Sequence, residues 1–72
     1  MTGLKEQLER LVDEMVARGV SFEDARREFE KKFIALVLLK SEGNMCQAAD
    51  LLGMHRNTLS RKIAEYRLRR TA

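Results

Sequence analysis

The stretch NMCQAADLLGMHRNTLSRKIAEY, residues 44–66, has the pattern of two short helices joined by a tight turn. The residues after Asn44 predict a first helix over 45–52. Gly53 ends it, because glycine adopts the positive φ that a sharp turn after a helix requires. A second helix is predicted over about 56–68. This is the spacing of a helix-turn-helix, and we expect the rest of the chain to be organised around it.

Small and apolar side chains stand where two such helices must touch. Ala48 and Ala49 allow a second helix to cross closely, and Met54, Leu59 and Ile63 would lock that second helix onto the first. The other faces of the second helix carry hydrogen-bonding and cationic groups, which suit base edges and phosphates. These candidate nucleic-acid contacts are His55, Arg56, Asn57, Thr58, Ser60, Arg61 and Lys62.

Charge is divided unevenly along the chain. Residues 54–72 hold six Lys/Arg and one acidic residue, a net +5, whereas residues 1–53 hold eight Lys/Arg and ten acidic residues, a net −2. A basic segment on a nearly neutral body is typical of polyanion binding. Asn44, the expected N-cap of the first short helix, extends this surface, because free amides at a helix N-terminus bind phosphate.

Length and composition favour one small all-α domain, residues 1–72, that is marginal as a monomer and favours oligomerisation. The single cysteine, Cys46, cannot form an internal disulfide, which suits a reducing cytosol. The longest apolar run, 33–39, is shorter than the roughly 20 residues of a membrane helix. We therefore expect a cytoplasmic protein that contacts no membrane.

Two further helices are predicted before the helix-turn-helix. The first covers about 4–18, and Gly19 ends it as the left-handed residue after its last turn. The second covers about 22–41, with Ser21 as its N-cap, and we expect Gly43 to end it.

The second of these helices is apolar almost all the way round over 33–39, so we expect burial on several sides there. One chain of this size cannot cover all of those faces. We infer a second copy packed against the first two helices, about residues 4–41. The predicted dimer contacts are apolar residues at helical spacing, namely Leu8, Leu11, Val12, Met15, Phe29, Phe33, Leu36 and Val37.

The segment EGNMCQAADLLGMHRNTLSRKIAEYRL, residues 42–68, resembles the C-terminal half of the Fis family of bacterial DNA-binding proteins. It also resembles the domain that ends the enhancer-binding activators of the alternative sigma factor. The telling elements are the Gly-Asn before the first helix, the Ala-Ala pair before the turn glycine, the turn GMHRNTL, and a basic helix that ends in Tyr. The resemblance is close over about 33–68, and over 1–32 it rests on the arrangement of two helices.

The resemblance implies a four-helix Fis-like fold, in which the first two helices form an intertwined homodimer core. Residues 44–68 then form the helix-turn-helix, and 69–72 form a basic tail. It implies binding of the dimer to two adjacent major grooves of double-stranded DNA, in transcription regulation or nucleoid organisation, with RNA polymerase as a further candidate partner. By position, the resemblance implies that Asn44 contacts a phosphate and that Arg56 contacts a base, most often guanine. It also implies that Thr58 and Arg61 contact phosphates or base edges and that Lys62 contacts a phosphate.

Three positions depart from the family's common residues. His55 stands where Asn is frequent, and Gln47 and Ser60 stand where a basic residue is common. All three remain candidate DNA contacts, and the departures point to a shifted or weaker sequence preference. Because no ATPase segment is present, we expect either a free-standing protein or the end of a larger activator.

A second interpretation is a helical protein-interaction module with a vestigial helix-turn-helix, in which a partner binds the apolar face of 4–16 and DNA is not bound. The sequence offers no paired carboxylates, metal-ligand cluster or phosphate-binding loop. We therefore expect no enzyme activity, no catalytic or metal-binding residue and no cofactor. RNA binding is disfavoured because the basic segment has a single aromatic residue, Tyr66, for base stacking.

Overall fold

The computed structural model describes residues 2–68, which form four α-helices and no strand. Helix α1 runs over Thr2–Ala17, α2 over Phe22–Lys40, α3 over Met45–Leu52 and α4 over Arg56–Tyr66. The predicted all-α, four-helix fold is therefore confirmed. The predicted basic tail, residues 69–72, lies outside the described residues.

The helix bounds follow the predictions closely in the middle of the chain and less closely at its ends. Helix α3 has the predicted bounds. Helix α1 begins at Thr2, two residues earlier than expected, and α4 ends at Tyr66, two residues earlier than expected. Ser21 caps α2 as predicted, since its Oγ accepts a hydrogen bond from the backbone N–H of Asp24 at 3.1 Å.

All four helices end in the same hydrogen-bonded motif. A backbone N–H just past the helix end bonds the carbonyl five residues earlier, and the residue before it adopts a left-handed conformation. The bonded pairs are Val20 to Met15 at 3.0 Å, Gly43 to Leu38 at 3.1 Å, Met54 to Ala49 at 3.0 Å and Leu68 to Ile63 at 3.0 Å. The left-handed residues are Gly19, Glu42, Gly53 and Arg67.

Two consecutive residues after α2 have positive φ. Gly43, which was expected to end the helix, has φ 78°, and the left-handed residue that directly follows the C-cap Ser41 is Glu42, with φ 53°. The reason lies in the bond that follows. The N–H of Gly43 reaches the carbonyl of Leu38, which requires the left-handed turn one residue earlier. A non-glycine residue there carries a steric cost that glycine avoids.

The hydrophobic core lies where α2, α3 and α4 meet. Two of its residues come from α2, three from α3 and two from α4; they are Ile34, Leu38, Met45, Ala48, Ala49, Leu59 and Ile63. The small pair Ala48 and Ala49 is buried, as a close helix crossing requires, and the turn residue Met54 packs against the same cluster. The core therefore fixes the helix-turn-helix directly onto α2.

Helix α1 contributes none of these core residues within the described chain, and its apolar face is open. The exposed face continues along α2, where Phe29 and Phe33 contact each other with ring centroids 5.4 Å apart. Over 33–39 the expected burial is one-sided: Ile34 and Leu38 are buried in the chain's own core, whereas Phe33, Leu36 and Leu39 are about half exposed. Among residues 2–68, no helix combines the length and the hydrophobicity of a membrane-spanning segment.

Candidate nucleic-acid interface

Helix α4 is held in place by its own apolar side and by the turn before it. Leu59 and Ile63 are buried against α2 and α3. Gly53 turns the chain with φ 69° and ψ 32°, and its N–H bonds the end of α3. Three contacts thus fix where α4 begins and which of its faces points outward. The outward face is what the structure leaves available to a ligand.

Four side chains share that outward face. Arg56, Asn57, Ser60 and Arg61 follow the i, i+1, i+4, i+5 spacing that places residues on one side of a helix, and all four are exposed. Asn57 and Arg61 point away from the buried pair Leu59 and Ile63, whereas Arg56 lies at the edge of the face that is nearest to that pair. The face combines two guanidinium groups with an amide and a hydroxyl, which together donate and accept hydrogen bonds.

The two helix N-termini are capped by predicted site residues. The Asn44 side-chain oxygen accepts the backbone N–H of Gln47 at 3.0 Å, and His55 Nδ1 accepts the backbone N–H of Asn57 at 3.0 Å. Because His55 Nδ1 is occupied as the acceptor of this bond, Nε2 is the ring nitrogen left for a contact with a ligand. Asn44 likewise keeps its amide NH₂ as a donor. Both residues are exposed, as is Gln47.

Thr58 and Lys62 lie at the edge of the predicted contact surface, because both are half-buried. Lys62 points toward α2, where its Nζ lies 3.0 Å from Glu30 Oε1. The phosphate contact predicted for Lys62 would therefore require this ion pair to open. That contact, like the other individual contacts predicted above, remains a prediction.

Glu30 is a residue that the sequence reasoning missed. Its Oε1 also accepts the Tyr66 hydroxyl at 2.6 Å, and its Oε2 lies 3.4 Å from Arg26. The hydrogen bond from Tyr66, then that from Lys62, holds the pKa of Glu30 below its ordinary value, and the carboxylate in turn raises the pKa of Tyr66. The one available signal was Tyr66 itself, since a tyrosine on a packed helix side requires a partner for its hydroxyl.

Comparison with known proteins gives the chain a family. Residues 25–66 match the family described as "Bacterial regulatory protein, Fis family". This chain belongs to the Fis family. The matched segment takes in most of α2 and the whole of α3 and α4, which is the part that builds the exposed face of α4. The predicted family resemblance is confirmed.

Among its relatives, this Fis-family chain is 39% identical over 62 residues to "DNA-binding transcriptional regulator NtrC" of Azospirillum brasilense, covering 86% of this chain and 13% of that protein. It is 50% identical over 42 residues to a "Putative Fis-like DNA-binding protein" of Xylella fastidiosa strain Temecula1, covering 58% of this chain and 47% of that protein. The counterpart in strain 9a5c is 49% identical over 41 residues. The chain thus spans under half the length of these relatives, and no solved structure matches it significantly.

Proposed function

We propose that this chain is a sequence-selective double-stranded DNA-binding regulator that works as a homodimer, with α4 in the major groove. The observation that carries the proposal is the exposed face of α4, which presents Arg56, Asn57, Ser60 and Arg61 on a helix fixed by a buried core. The names of its relatives, a DNA-binding transcriptional regulator and two putative Fis-like DNA-binding proteins, support the same function.

The dimensions of α4 fit the groove. An α-helix with its side chains is about 10–12 Å across. The major groove of B-DNA is about 12 Å wide and accepts one α-helix. In the proposed complex the N-terminal part of α4 meets the base edges, where Arg56 forms paired hydrogen bonds with guanine. His55 and Asn57 flank it, and Arg61 lies one turn further along.

Phosphate contacts would hold α4 in register. Asn44 and Gln47 stand at the N-terminus of α3, where free backbone amides and the helix dipole favour an anion. Thr58, Ser60 and Lys62 complete the proposed DNA-contact set. The basic character of the segment after Met54 adds attraction that does not depend on base sequence.

The proposed dimer covers the open apolar face of α1 and α2. An apolar groove of about 380 Å³ lies between α1 and the start of α2, and a second of about 400 Å³ lies between α1 and the middle of α2. Leu11, Met15 and Phe29 line both grooves. Seven of the predicted dimer contacts line these grooves, namely Leu8, Leu11, Val12, Met15, Phe29, Phe33 and Leu36. The eighth, Val37, packs against the chain's own core, so it is the weakest member of the proposed set. Residues 4–41 are the proposed dimerisation unit of a single domain.

A matched pair of variants tests the dimer. Leu36 on α2 and Leu51 on α3 are both more than half exposed, but only Leu36 lies on the proposed interface. Sedimentation should give twice the 8.3 kDa chain mass for the wild type and for Leu51→Glu, and a lower mass for Leu36→Glu. A folded wild-type monomer at micromolar concentration would contradict the homodimer. It would favour the second candidate function, in which the same apolar face binds a different protein.

The experiment that tests DNA binding is a fluorescence anisotropy titration of labelled duplex over a salt series. Affinity should fall with salt at a slope of about −0.9 per phosphate contact on a logarithmic scale. Arg56→Ala should lower the discrimination between a preferred and a random duplex by roughly 5- to 150-fold, the equivalent of about 1–3 kcal/mol. Arg10→Ala is the matched control, because Arg10 is an exposed arginine on α1.

Two results would contradict the proposal. One is the absence of duplex binding at low salt, and the other is equal loss of discrimination in the Arg56 and Arg10 variants. The regulatory setting proposed with it is the bacterial cytoplasm, where the protein acts on transcription or nucleoid organisation and RNA polymerase is a candidate partner.

A further inference from the structure

Two side-chain hydrogen bonds join different helices among residues 2–68, and both end on the same atom. Lys62 Nζ and the Tyr66 hydroxyl, from α4, meet Glu30 Oε1, from α2, at 3.0 and 2.6 Å. Lys62 and Tyr66 are four residues apart, so they lie one turn above the other on the same side of α4. Glu30 therefore contacts α4 at two positions that are one helical turn apart. These contacts oppose both rotation of α4 and sliding of α4 along α2.

The contact between Glu30 and Lys62 is partly shielded from water. The Lys62 and Glu30 side chains keep 24% and 22% of their exposure, so their attraction is screened less than that of a surface pair. Arg26 supports the carboxylate from the other oxygen, at 3.4 Å, and is itself held by Glu23 at 2.7 Å. Arg26 thus holds the Glu30 carboxylate from within α2, independently of the contacts that Glu30 makes with α4.

We propose that Glu30 is a positioning residue that sets DNA sequence discrimination: it holds α4 at the angle that base contacts need, and it neutralises Lys62 so that random DNA gains less from that charge. The inference rests on the proposed DNA binding. Base contacts require correct alignment, whereas attraction to phosphates tolerates a tilted helix. Both effects of Glu30 therefore act in the same direction, toward a larger ratio of specific to non-specific affinity.

The test compares Glu30→Gln with Glu28→Gln. Glu28 carries the same charge on the same helix, but it pairs with Lys32 of α2 and is largely exposed. Glu28 also borders the proposed dimer groove, so the variants are compared at a concentration at which sedimentation gives them the same mass. On a random duplex at low salt, Glu30→Gln should bind roughly fivefold tighter, as one more charge pair in water would give. Its salt slope should steepen by about 0.9, because Lys62 is released. Its affinity for a preferred duplex should not rise, so the discrimination ratio should fall roughly fivefold. Glu28→Gln should change slope and ratio little.

A measurement without DNA shows whether Glu30 contacts Tyr66 in solution. The chain has one tyrosine and no tryptophan, so the phenolate absorbance reports on Tyr66 alone. Wild type and Glu28→Gln should titrate above the ordinary tyrosine pKa of 10.0, and Glu30→Gln should titrate closer to it. Tyr66→Phe keeps every charge and removes one bond to Glu30. Tyr66→Phe should lower the discrimination ratio without changing the salt slope. It replaces Glu30→Gln as the test variant if Glu30→Gln does not fold.

The possible results distinguish a failure of this inference from a failure of the proposed function. Equal Tyr66 titration in wild type and Glu30→Gln would overturn the inference at its geometric base. A shifted titration, with slope and ratio like those of Glu28→Gln, would overturn the claim about discrimination and leave DNA binding intact. Failure of the wild type to bind any duplex would overturn the proposed function, and this inference with it.

Discussion

The two residues that end α3 and α2 should respond in opposite directions to substitution. Gly53 and Glu42 both hold the left-handed position after a helix, with φ 69° and 53°. Apart from its two chain neighbours, a Cβ built on Gly53 meets no atom of the described residues 2–68 within 4 Å, so Gly53→Ala adds no steric contact with the residues packed around it. Only the backbone conformation opposes the change. The pair therefore measures the cost of left-handed backbone with little contribution from packing.

The magnitude follows from two opposing terms. A side chain in the left-handed region costs roughly 1–2 kcal/mol. Replacing glycine by alanine restricts the unfolded chain and returns about 0.4–1 kcal/mol. Gly53→Ala should therefore lower the free energy of unfolding by roughly 1 kcal/mol. Glu42→Gly should raise it by a similar amount, because the same terms act with opposite signs.

Thermal unfolding followed by circular dichroism measures both changes. A difference of 1 kcal/mol shifts Tm by about 4–8 °C in a domain of this size. All variants should be compared at one total protein concentration, because dimerisation would couple Tm to concentration. Gly3→Ala is the control: Gly3 lies inside α1, and alanine there should be neutral or stabilising. A neutral Gly53→Ala or a destabilising Glu42→Gly would contradict the left-handed backbone assigned to these two residues.

Three further predictions concern the core and the link between α2 and α4. Ser41 is buried and its Oγ has no hydrogen-bond partner among residues 2–68, so Ser41→Ala should raise the free energy of unfolding by about 1 kcal/mol in urea titration. Leu59 is fully buried, so Leu59→Ala should cost about 2–5 kcal/mol, whereas Leu51→Ala, at an exposed site on α3, should stay within about 0.5 kcal/mol; equal losses would contradict the core assignment. The Glu30 carboxylate has a pKa lowered from 4.5, so its stabilisation is present above that pH and is lost as pH falls through the lowered value. Tyr66 has a pKa raised from 10.0, so its stabilisation is present below that pH and is lost as pH rises through the raised value. The stability advantage of wild type over Glu30→Gln should accordingly be largest between about pH 4.5 and 10 and shrink on both sides; an advantage that does not vary with pH would contradict the link.

The helix-turn-helix could be predicted from sequence because its determinants are local. Gly53 supplies the turn, Ala48 and Ala49 supply the close crossing, and the apolar spacing of α4 supplies its buried side. Each of these depends on residues only a few positions apart, so a short segment contains the information. The capping role of Asn44 was predictable for the same reason.

The end of α2 and the Glu30 link were not predictable by the same rules. Glycine is preferred in the left-handed position, yet the hydrogen bonds at the end of α2 place Glu42 there, directly before Gly43, whose φ is also positive. Glu30 lies 32 and 36 residues from its partners on α4, and in sequence it is one of many acidic residues on an exposed helix face. Only the packing of α4 against α2 distinguishes it from the others.

The measurement that tests the central claim most directly is selection of bound duplexes from a random pool, carried out with wild type and with Arg56→Ala. Wild type should enrich sites with two half-sites related by two-fold symmetry, with centres about 34–36 Å apart, one helical turn of DNA. Each half-site should contain a guanine whose enrichment is lost in Arg56→Ala. An absence of enrichment, or a wild-type preference that survives unchanged in Arg56→Ala, would contradict the placement of α4 in the major groove.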